Sequence, residues 1–173
     1  MIAPTSRLNF EPIALHYAPL FHRLNADPQV MRYFPAVLSV AETDAFIARI
    51  VDHRARHGFG LEAAFLTQTG AFAGFIGLLC AEFDAPFTPA VEIGWRLMPE
   101  FWGQGLAPEG ARAALACGFE DLGLGEIVSF TARANEASIR VMEKSVCAAT
   151  PRMVSITRRW PSAIACAPMC FTA

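Results

Sequence analysis

The chain has 173 residues, of which 54% are hydrophobic and 17% are charged, and its formal net charge is −2. This composition argues against disorder and predicts one folded domain over residues 1–173. The near-neutral charge gives no reason to expect a nucleic-acid partner. No apolar run is long enough to predict a membrane span, and the start lacks a signal-peptide pattern, so the cytoplasm is the expected location.

The first part of the chain predicts a strand followed by helices. Ser39 and Glu42 stand three residues apart, which is the capping-box pattern of a helix start, and Gly58 is suited to end that helix. The elements predicted here are a strand at Arg7–Ile13, a helix from about His16 to Asn25, a helical turn at Gln29–Tyr33 and a helix from Ser39 to His57.

The second part of the chain predicts a hairpin and then alternating strands and helices. The predicted elements are hairpin strands at Leu61–Thr67 and Ala71–Glu82, a strand at Ala90–Leu97, a helix at Gly105–Leu122, a strand at Glu126–Ala132 and a helix at Asn135–Lys144. This order predicts one α/β domain built on a mixed sheet.

A glycine-containing turn is the most informative local feature. The strand that carries Glu92 leads through Pro99 into Gly103 and Gly105, and a helix begins there. The first N–H groups of a helix have no partner inside it, so such a turn can bind a phosphate through the main chain. A P-loop is excluded because no Gly-Lys-Ser/Thr follows, and a Rossmann turn is excluded because the third glycine, Gly110, comes too late. The alternative is a plain tight connection.

Five stretches in order resemble one enzyme superfamily. They are N-A-D-P-Q-V-M-R-Y-F-P (25–35), G-F-I-G-L (74–78), E-I-G-W-R-L (92–97), W-G-Q-G-L-A (102–107) and N-E-A-S-I-R-V-M-E-K (135–144). Together they resemble the GNAT superfamily of acetyl-CoA-dependent N-acetyltransferases, in particular the branch similar to ribosomal-protein alanine acetyltransferases. The resemblance covers about Thr5 to Lys144.

The resemblance implies both a fold and an activity. The implied fold is a mixed, largely antiparallel twisted sheet flanked by helices, with splayed strands that form the cofactor cleft. The implied activity is transfer of acetyl from acetyl-CoA to a primary amine, either a protein N-terminus or a small molecule, and a homodimer is left open. The alternatives are a catalytically impaired acetyl-CoA-binding protein and a coenzyme A sensor.

The resemblance also implies roles for individual residues. Glu92 would accept the amine proton directly or through water, and Ser138 would donate toward the thioester sulfur. The implied cofactor-binding residues are Leu97, Met98, Gly103, Gln104, Gly105, Leu106, Ala107, Asn135 and Ser138.

Structural alternatives stand beside these roles. Glu92 could be a solvated strand residue, Ser138 an ordinary surface serine, and Asn135 an N-cap, which is compatible with touching the cofactor too. No metal is expected. His53 and His57 have the four-residue spacing of zinc ligands, but the sequence shows no evident third ligand, and the helix dipole also favours histidines near a C-terminus.

The last part of the chain, residues 145–173, has a different character. It contains no Asp or Glu, although all 16 acidic residues occur earlier, and it holds three of the five cysteines. After Met142-Glu143-Lys144 the family would continue Leu-Gly-Met. Restoring one base after the Lys144 codon, with codons of our choice, converts the tail into a family-like ending. We therefore hypothesise a single-base deletion near codon 145.

Overall fold

The computed structural model describes residues 1–84 and 87–146. Within these ranges, four strands form one antiparallel sheet in the order β1-β2-β3-β4, and α-helices flank it on both faces. The strands are β1 (Leu8–Pro12), β2 (Leu61–Leu66), β3 (Phe72–Ala81) and β4 (Ala90–Leu97); the helices are α1 (Ala18–Asn25), α2 (Val40–His57), α3 (Leu106–Ala116) and α4 (Glu136–Val146). The predicted GNAT-like α/β fold is confirmed.

Helix α2 begins and ends where its sequence predicts. The Ser39 hydroxyl accepts a hydrogen bond from the Glu42 N–H at 3.3 Å, and the Glu42 carboxylate accepts one from the Ser39 N–H at 2.8 Å. At the other end, Gly58 adopts a left-handed conformation with φ of 77°, which a side chain would oppose. The capping box therefore fixes this helix against the sheet.

The sheet separates two apolar cores because successive strand residues point to opposite faces. Ile76 and Leu78 of β3 face the core that includes α3 and α4, whereas Phe75 faces Phe21 of α1 and Ile47 of α2. Each such side chain, fully buried, contributes about 1.5–3 kcal/mol of transfer free energy. The two cores therefore pack against opposite faces of the sheet.

Helix α3 lies very close to the sheet because Gly110 has no side chain. A Cβ at this position would lie 2.4 Å from Cδ1 of Ile76 and 3.2 Å from Cδ1 of Leu8, which no real Cβ tolerates. The helix continues after Ala116 as a π-helical turn at Cys117–Asp121, so the predicted helix at Gly105–Leu122 is confirmed with an altered last turn. The close approach places the start of α3 beside the end of β4.

The predicted strand at Glu126–Ala132 is wrong. Only one parallel bridge to β4 forms, through Val128: its N–H donates to the Val91 carbonyl at 2.7 Å, and its carbonyl accepts from the Ile93 N–H at 2.7 Å. The next ladder position is lost because the Ser129 hydroxyl donates to the Ile93 carbonyl at 3.0 Å. The segment therefore leaves β4 after a single bridge, and a cleft opens between them.

The remaining sequence predictions concern a helical turn, membrane spans and the tail. Gln29–Tyr33 forms hydrogen-bonded turns and no regular helix. In the described ranges, no helix combines the length and apolarity needed to cross a bilayer. The atypical tail lies outside the described residues from Cys147 onward, so the hypothesis of a deletion stays a prediction.

Candidate active site

A cleft of about 680 Å³ runs along the edge of β4 that faces away from β3. One of its sides is formed by the turn before α3 and by α4, and the other by the segment before α2 and by the α2-facing side of the sheet. The divergence after Val128 creates the opening between these sides. Glu92, Gly105, Asn135 and Ser138, which the sequence predicts as site residues, all line this one cleft.

The edge of β4 that borders the cleft has open main-chain groups. The Met98 N–H donates to the Ala73 carbonyl at 2.9 Å, and the strand alternation then directs the main-chain groups of Trp95 and Leu97 away from β3. Among the described residues, the N–H groups of Trp95 and Leu97 have no main-chain acceptor. The Leu97 carbonyl accepts from Trp102 Nε1 at 2.8 Å. The edge can therefore donate hydrogen bonds to a ligand.

The glycine turn also presents unpaired donors. Gly103 and Gly105 have φ angles of 73° and 77°, and α3 begins at Leu106. Across the described residues, no acceptor is found for the main-chain N–H groups of positions 103–107. Five successive free N–H groups at the start of a helix form a site for an anion, because the helix dipole adds positive potential there.

Arg7 braces this turn from the start of β1, a role that the sequence did not reveal. Its Nη1 donates to the Gln104 carbonyl at 2.8 Å, and its Nε donates to Glu109 Oε2 at 2.6 Å. Burial alone raises the pKa of Glu109, but hydrogen bonds from Thr5 and Arg7 lower the pKa below its usual value. The ionised carboxylate therefore holds Arg7, and Arg7 holds the turn.

Helix α4 brings a hydroxyl, an amide and two cations to the cleft. Asn135 Oδ1 accepts from the Ser138 N–H at 3.2 Å, so Asn135 is the N-cap, and its Nδ2 donates to Thr131 Oγ1 at 2.7 Å. Ser138 is half-buried and lines the cleft. Arg140 and Lys144 line the same side, although sequence reasoning missed both. Their positive charge suits a phosphorylated ligand.

Glu92 carries a strongly perturbed carboxyl group. The side chain lines the cleft, and burial raises its pKa from 4.5 to about 8. Its carboxylate makes no hydrogen bond to any side chain that the structure describes. A carboxyl group with this pKa can exchange protons near neutral pH, as a general base must. The side chain is half-buried, so its role as a base or as a solvated strand residue stays a prediction that the Glu92→Gln variant tests.

Met98 is a framework residue. Its N–H is used by the Ala73 carbonyl, its carbonyl accepts from the Phe101 N–H at 3.0 Å, and its side chain is 3% exposed in the core with α1 and α2. The predicted contact between Met98 and the cofactor therefore finds no open group, and we omit Met98 from the site.

His53 and His57 acquire a neighbour that the sequence did not show. Cys80, from β3, lies with both histidines so that the three ligand atoms are within 4.8 Å of one another. His53 Nε2 accepts from the Cys80 N–H at 3.0 Å, and its Nδ1 pairs with the Phe59 carbonyl at 3.1 Å. Burial and the charge of His57 lower the pKa of His53. The neutral imidazole of His53 therefore accepts a hydrogen bond from the part of β3 that extends past its pairing with β2.

Comparison with known proteins gives a consistent result. Residues 7–145 match the family described as the acetyltransferase (GNAT) domain. The FsC-acetyl coenzyme A-N(2)-transacetylase of Aspergillus fumigatus is 33% identical over 145 residues, which cover 80% of this chain and 61% of that protein. The chain thus spans less than two thirds of that relative.

Two solved structures share the fold. The acetyltransferase from Agrobacterium tumefaciens superposes with a TM-score of 0.76 at 24% identity, covering 98% of this chain and 91% of that one. The spermidine N-acetyltransferase from Vibrio cholerae, in complex with CoA and spermine, gives 0.65 at 19% identity, covering 82% and 80%. The family match spans most of the sequence and includes every element that builds the cleft, and the chain therefore belongs to the acetyltransferase (GNAT) domain family.

Proposed function

We propose that this protein transfers the acetyl group of acetyl-CoA to the nitrogen of a primary amine. The observation that carries the proposal is the run of free main-chain N–H groups at positions 103–107, beside an open edge of β4 and the half-buried carboxyl group of Glu92. The family membership and the name of the Aspergillus fumigatus relative support acetyl-CoA as the co-substrate.

The cofactor would lie along the side of the cleft near α3 and α4. The N–H groups of Gly103, Gln104, Gly105, Leu106 and Ala107 would bind the pyrophosphate. The free N–H at Leu97 would donate to the acyl-pantetheine part, and the Asn135 side chain, which lines the cleft, would contact it as well. Arg140 and Lys144 would add positive charge near the nucleotide phosphates.

The reaction is a direct attack on the thioester. The neutral amine nitrogen forms a bond to the carbonyl carbon while the C–S bond breaks, and the electron pair leaves with sulfur. Glu92 accepts the proton that the nitrogen loses, and the Ser138 hydroxyl donates toward the departing sulfur. The N–H at Leu97 would stabilise negative charge on the carbonyl oxygen.

Much of the rate acceleration would come from holding the two reactants together. Well-oriented reactants gain roughly 7–11 kcal/mol relative to free diffusion. Both sides of the cleft are attached to one sheet, so the amine and the thioester meet at a fixed distance from Glu92. We therefore expect variants at Glu92 and Ser138 to be slow but still active.

The acceptor amine would be either a protein N-terminus or a small molecule. A second candidate function is acetyl-CoA binding without transfer. Calorimetric titration with acetyl-CoA measures binding, and release of free thiol across an amine panel measures transfer. We expect both. A frame-restored version of the tail, assayed in parallel, separates the effect of residues 145–173 from that of the site. Tight binding without thiol release by either version would favour the second candidate.

A further inference from the structure

The α2-facing side of β4 has a gap in its row of side chains. Glu92, Gly94 and Arg96 share this face, and Gly94 pairs with Gly77 of β3, so neither strand contributes a side chain at that level. A Cβ at Gly94 would meet only Glu92 Oε1, at 3.8 Å, within a 4 Å radius. Open space therefore lies directly beside the carboxyl group that accepts the proton.

The surroundings of this gap are aromatic. Phe34 lines the cleft and is 44% exposed, and the Arg96 guanidinium lies over its ring at 4.4 Å. The same guanidinium lies over the rings of Phe75 and Phe46 at 5.2 and 5.8 Å, so these two rings pack against Arg96. The exposed part of Phe34 and the flat guanidinium beside it favour a ligand with an apolar, ring-sized body, because such a body can stack on both.

The charges around the gap select against a polycation. Among the described residues that line the cleft, Glu92 is the only carboxylate, whereas Arg32 and Arg96 are cationic on the same side. Arg96 is fixed, because its Nη1 donates to Asn25 Oδ1 at 2.5 Å and its guanidinium stacks on Phe34 at 4.4 Å. A second ammonium group on the acceptor would meet a fixed positive charge and no further anion.

We propose that the acceptor is a monoamine on an apolar, ring-sized body that binds over Gly94 with its nitrogen at Glu92. The proposal rests on the proposed function and adds the class of substrate to it. The step is unchanged: the C–N bond forms, the C–S bond breaks, Glu92 takes the proton and sulfur takes the electron pair. Glu92 to Arg96 is four strand residues, or about 13 Å, which accommodates one aromatic ring and a short alkyl chain.

The test compares two amines and two valine variants. Wild-type protein is assayed for thiol release with 2-phenylethylamine and with spermidine, and the same assays are run on Gly94→Val. Gly125→Val is the matched control, because Gly125 is exposed, outside the cleft, and has nothing within 4 Å of a Cβ. Calorimetric titration with acetyl-CoA and thermal unfolding report whether each variant is folded.

We expect wild-type kcat/KM for 2-phenylethylamine to exceed that for spermidine at least tenfold. Gly94→Val should lower the value for 2-phenylethylamine at least tenfold, with the Kd of acetyl-CoA changed less than twofold, and Gly125→Val should change neither. Preference for spermidine, or an unaffected Gly94→Val enzyme, overturns the acceptor class alone. Absence of thiol release with every amine overturns the proposed function, and the acceptor class with it.

If Gly94→Val fails to bind acetyl-CoA, the smaller substitution Gly94→Ala is assayed in its place. Valine favours strand geometry, and this position has no positive φ, so we expect both variants to fold. Alanine should lower kcat/KM for 2-phenylethylamine by about threefold and leave methylamine, which has no ring, unaffected. Equal effects on the two amines would contradict the proposal.

Discussion

The hydroxyl of Ser129 donates to the carbonyl of Ile93 at 3.0 Å, and this bond ends the parallel pairing between β4 and the segment that follows α3. In a regular parallel ladder the carbonyl of Ile93 would accept from the main chain of the neighbouring segment. Because a side chain takes that position, the segment is free to diverge. Ser129, which is 1% exposed, therefore occupies the Ile93 acceptor at the point where the cleft opens.

Ser129→Ala should destabilise the protein by about 1–3 kcal/mol, because it leaves the buried Ile93 carbonyl without its donor. Ser145→Ala is the control, because it also removes a buried hydroxyl, but one whose acceptor, the Val141 carbonyl, belongs to helix α4. Chemical unfolding of the two variants beside wild type measures the difference. A loss of stability in Ser145→Ala equal to that in Ser129→Ala would show that the Ile93 carbonyl is not the cause.

The rate of transfer should depend on the ionisation of Glu92. Its pKa of about 8 predicts that kcat/KM rises about tenfold per pH unit below pH 8 and levels off above it. A weakly basic amine such as trifluoroethylamine, already neutral at pH 7, keeps ionisation of the substrate out of this profile. Glu92→Gln should lower kcat by about 10²–10⁴ and remove the rising limb. An unchanged profile in Glu92→Gln would assign the limb to another group.

The same carboxyl group should make stability depend on pH. The folded pKa of Glu92, about 8, is above its ordinary value of 4.5, so between these values the folded state holds a proton that the unfolded state lacks. Stability from this group is therefore fully present below pH 4.5 and is lost as pH rises toward 8, by an amount on the order of a few kcal/mol. Thermal unfolding of wild type and Glu92→Gln should diverge from pH 5 to pH 8.5, with the variant the more stable at high pH.

Gly105→Ala should weaken binding of acetyl-CoA at least tenfold. Its φ of 77° costs a side chain about 1–2 kcal/mol, so the turn would shift and misalign the free N–H groups. Gly58→Ala is a closely matched control, because Gly58 has the same φ of 77°, open space around it and no place in the cleft. Calorimetry should show equal affinity for Gly58→Ala and wild type. Equal weakening by both variants would indicate a general loss of stability.

Ser138→Ala should lower kcat about 10- to 100-fold and leave the Kd of acetyl-CoA within twofold, because the proposed role of the hydroxyl is to donate to the leaving sulfur. The N-cap is retained, since the cap acceptor belongs to Asn135. Ser145→Ala, on the same helix, is the control: Ser145 does not line the cleft, and its hydroxyl donates to the Val141 carbonyl at 2.7 Å. Equal kinetic losses in the two variants would remove the assigned role of Ser138.

Local signals explain why much of the fold was predictable. The Ser39–Glu42 capping box and Gly58 fixed the ends of α2, and β4 was predicted at its observed bounds, Ala90–Leu97. The strand predicted at Glu126–Ala132 has the right composition, but strand pairing depends on the neighbour, and Ser129 interrupts the ladder. Residue propensities in a single sequence do not predict that a side-chain hydroxyl will take the place of a main-chain donor.

The glycine turn and the resemblance together predicted Glu92, Gly105, Asn135 and Ser138, all of which line the cleft. The glycines at 103 and 105 indicate a turn with free N–H groups. The hydrogen bond from Arg7 to the Gln104 carbonyl, in contrast, joins residues almost one hundred positions apart. The contact between Cys80 and His53 likewise depends on how β3 packs against α2. A local sequence pattern does not predict that packing. Long-range packing therefore supplies the parts that the sequence reading missed.

The decisive experiment is a structure of this protein bound to acetyl-CoA. We expect the pyrophosphate oxygens to lie about 2.7–3.2 Å from main-chain nitrogens between Gly103 and Ala107, with the thioester between Glu92 and Ser138. A pyrophosphate bound elsewhere, with the N–H groups of this turn facing water or protein, would show that the glycine turn is not the phosphate site.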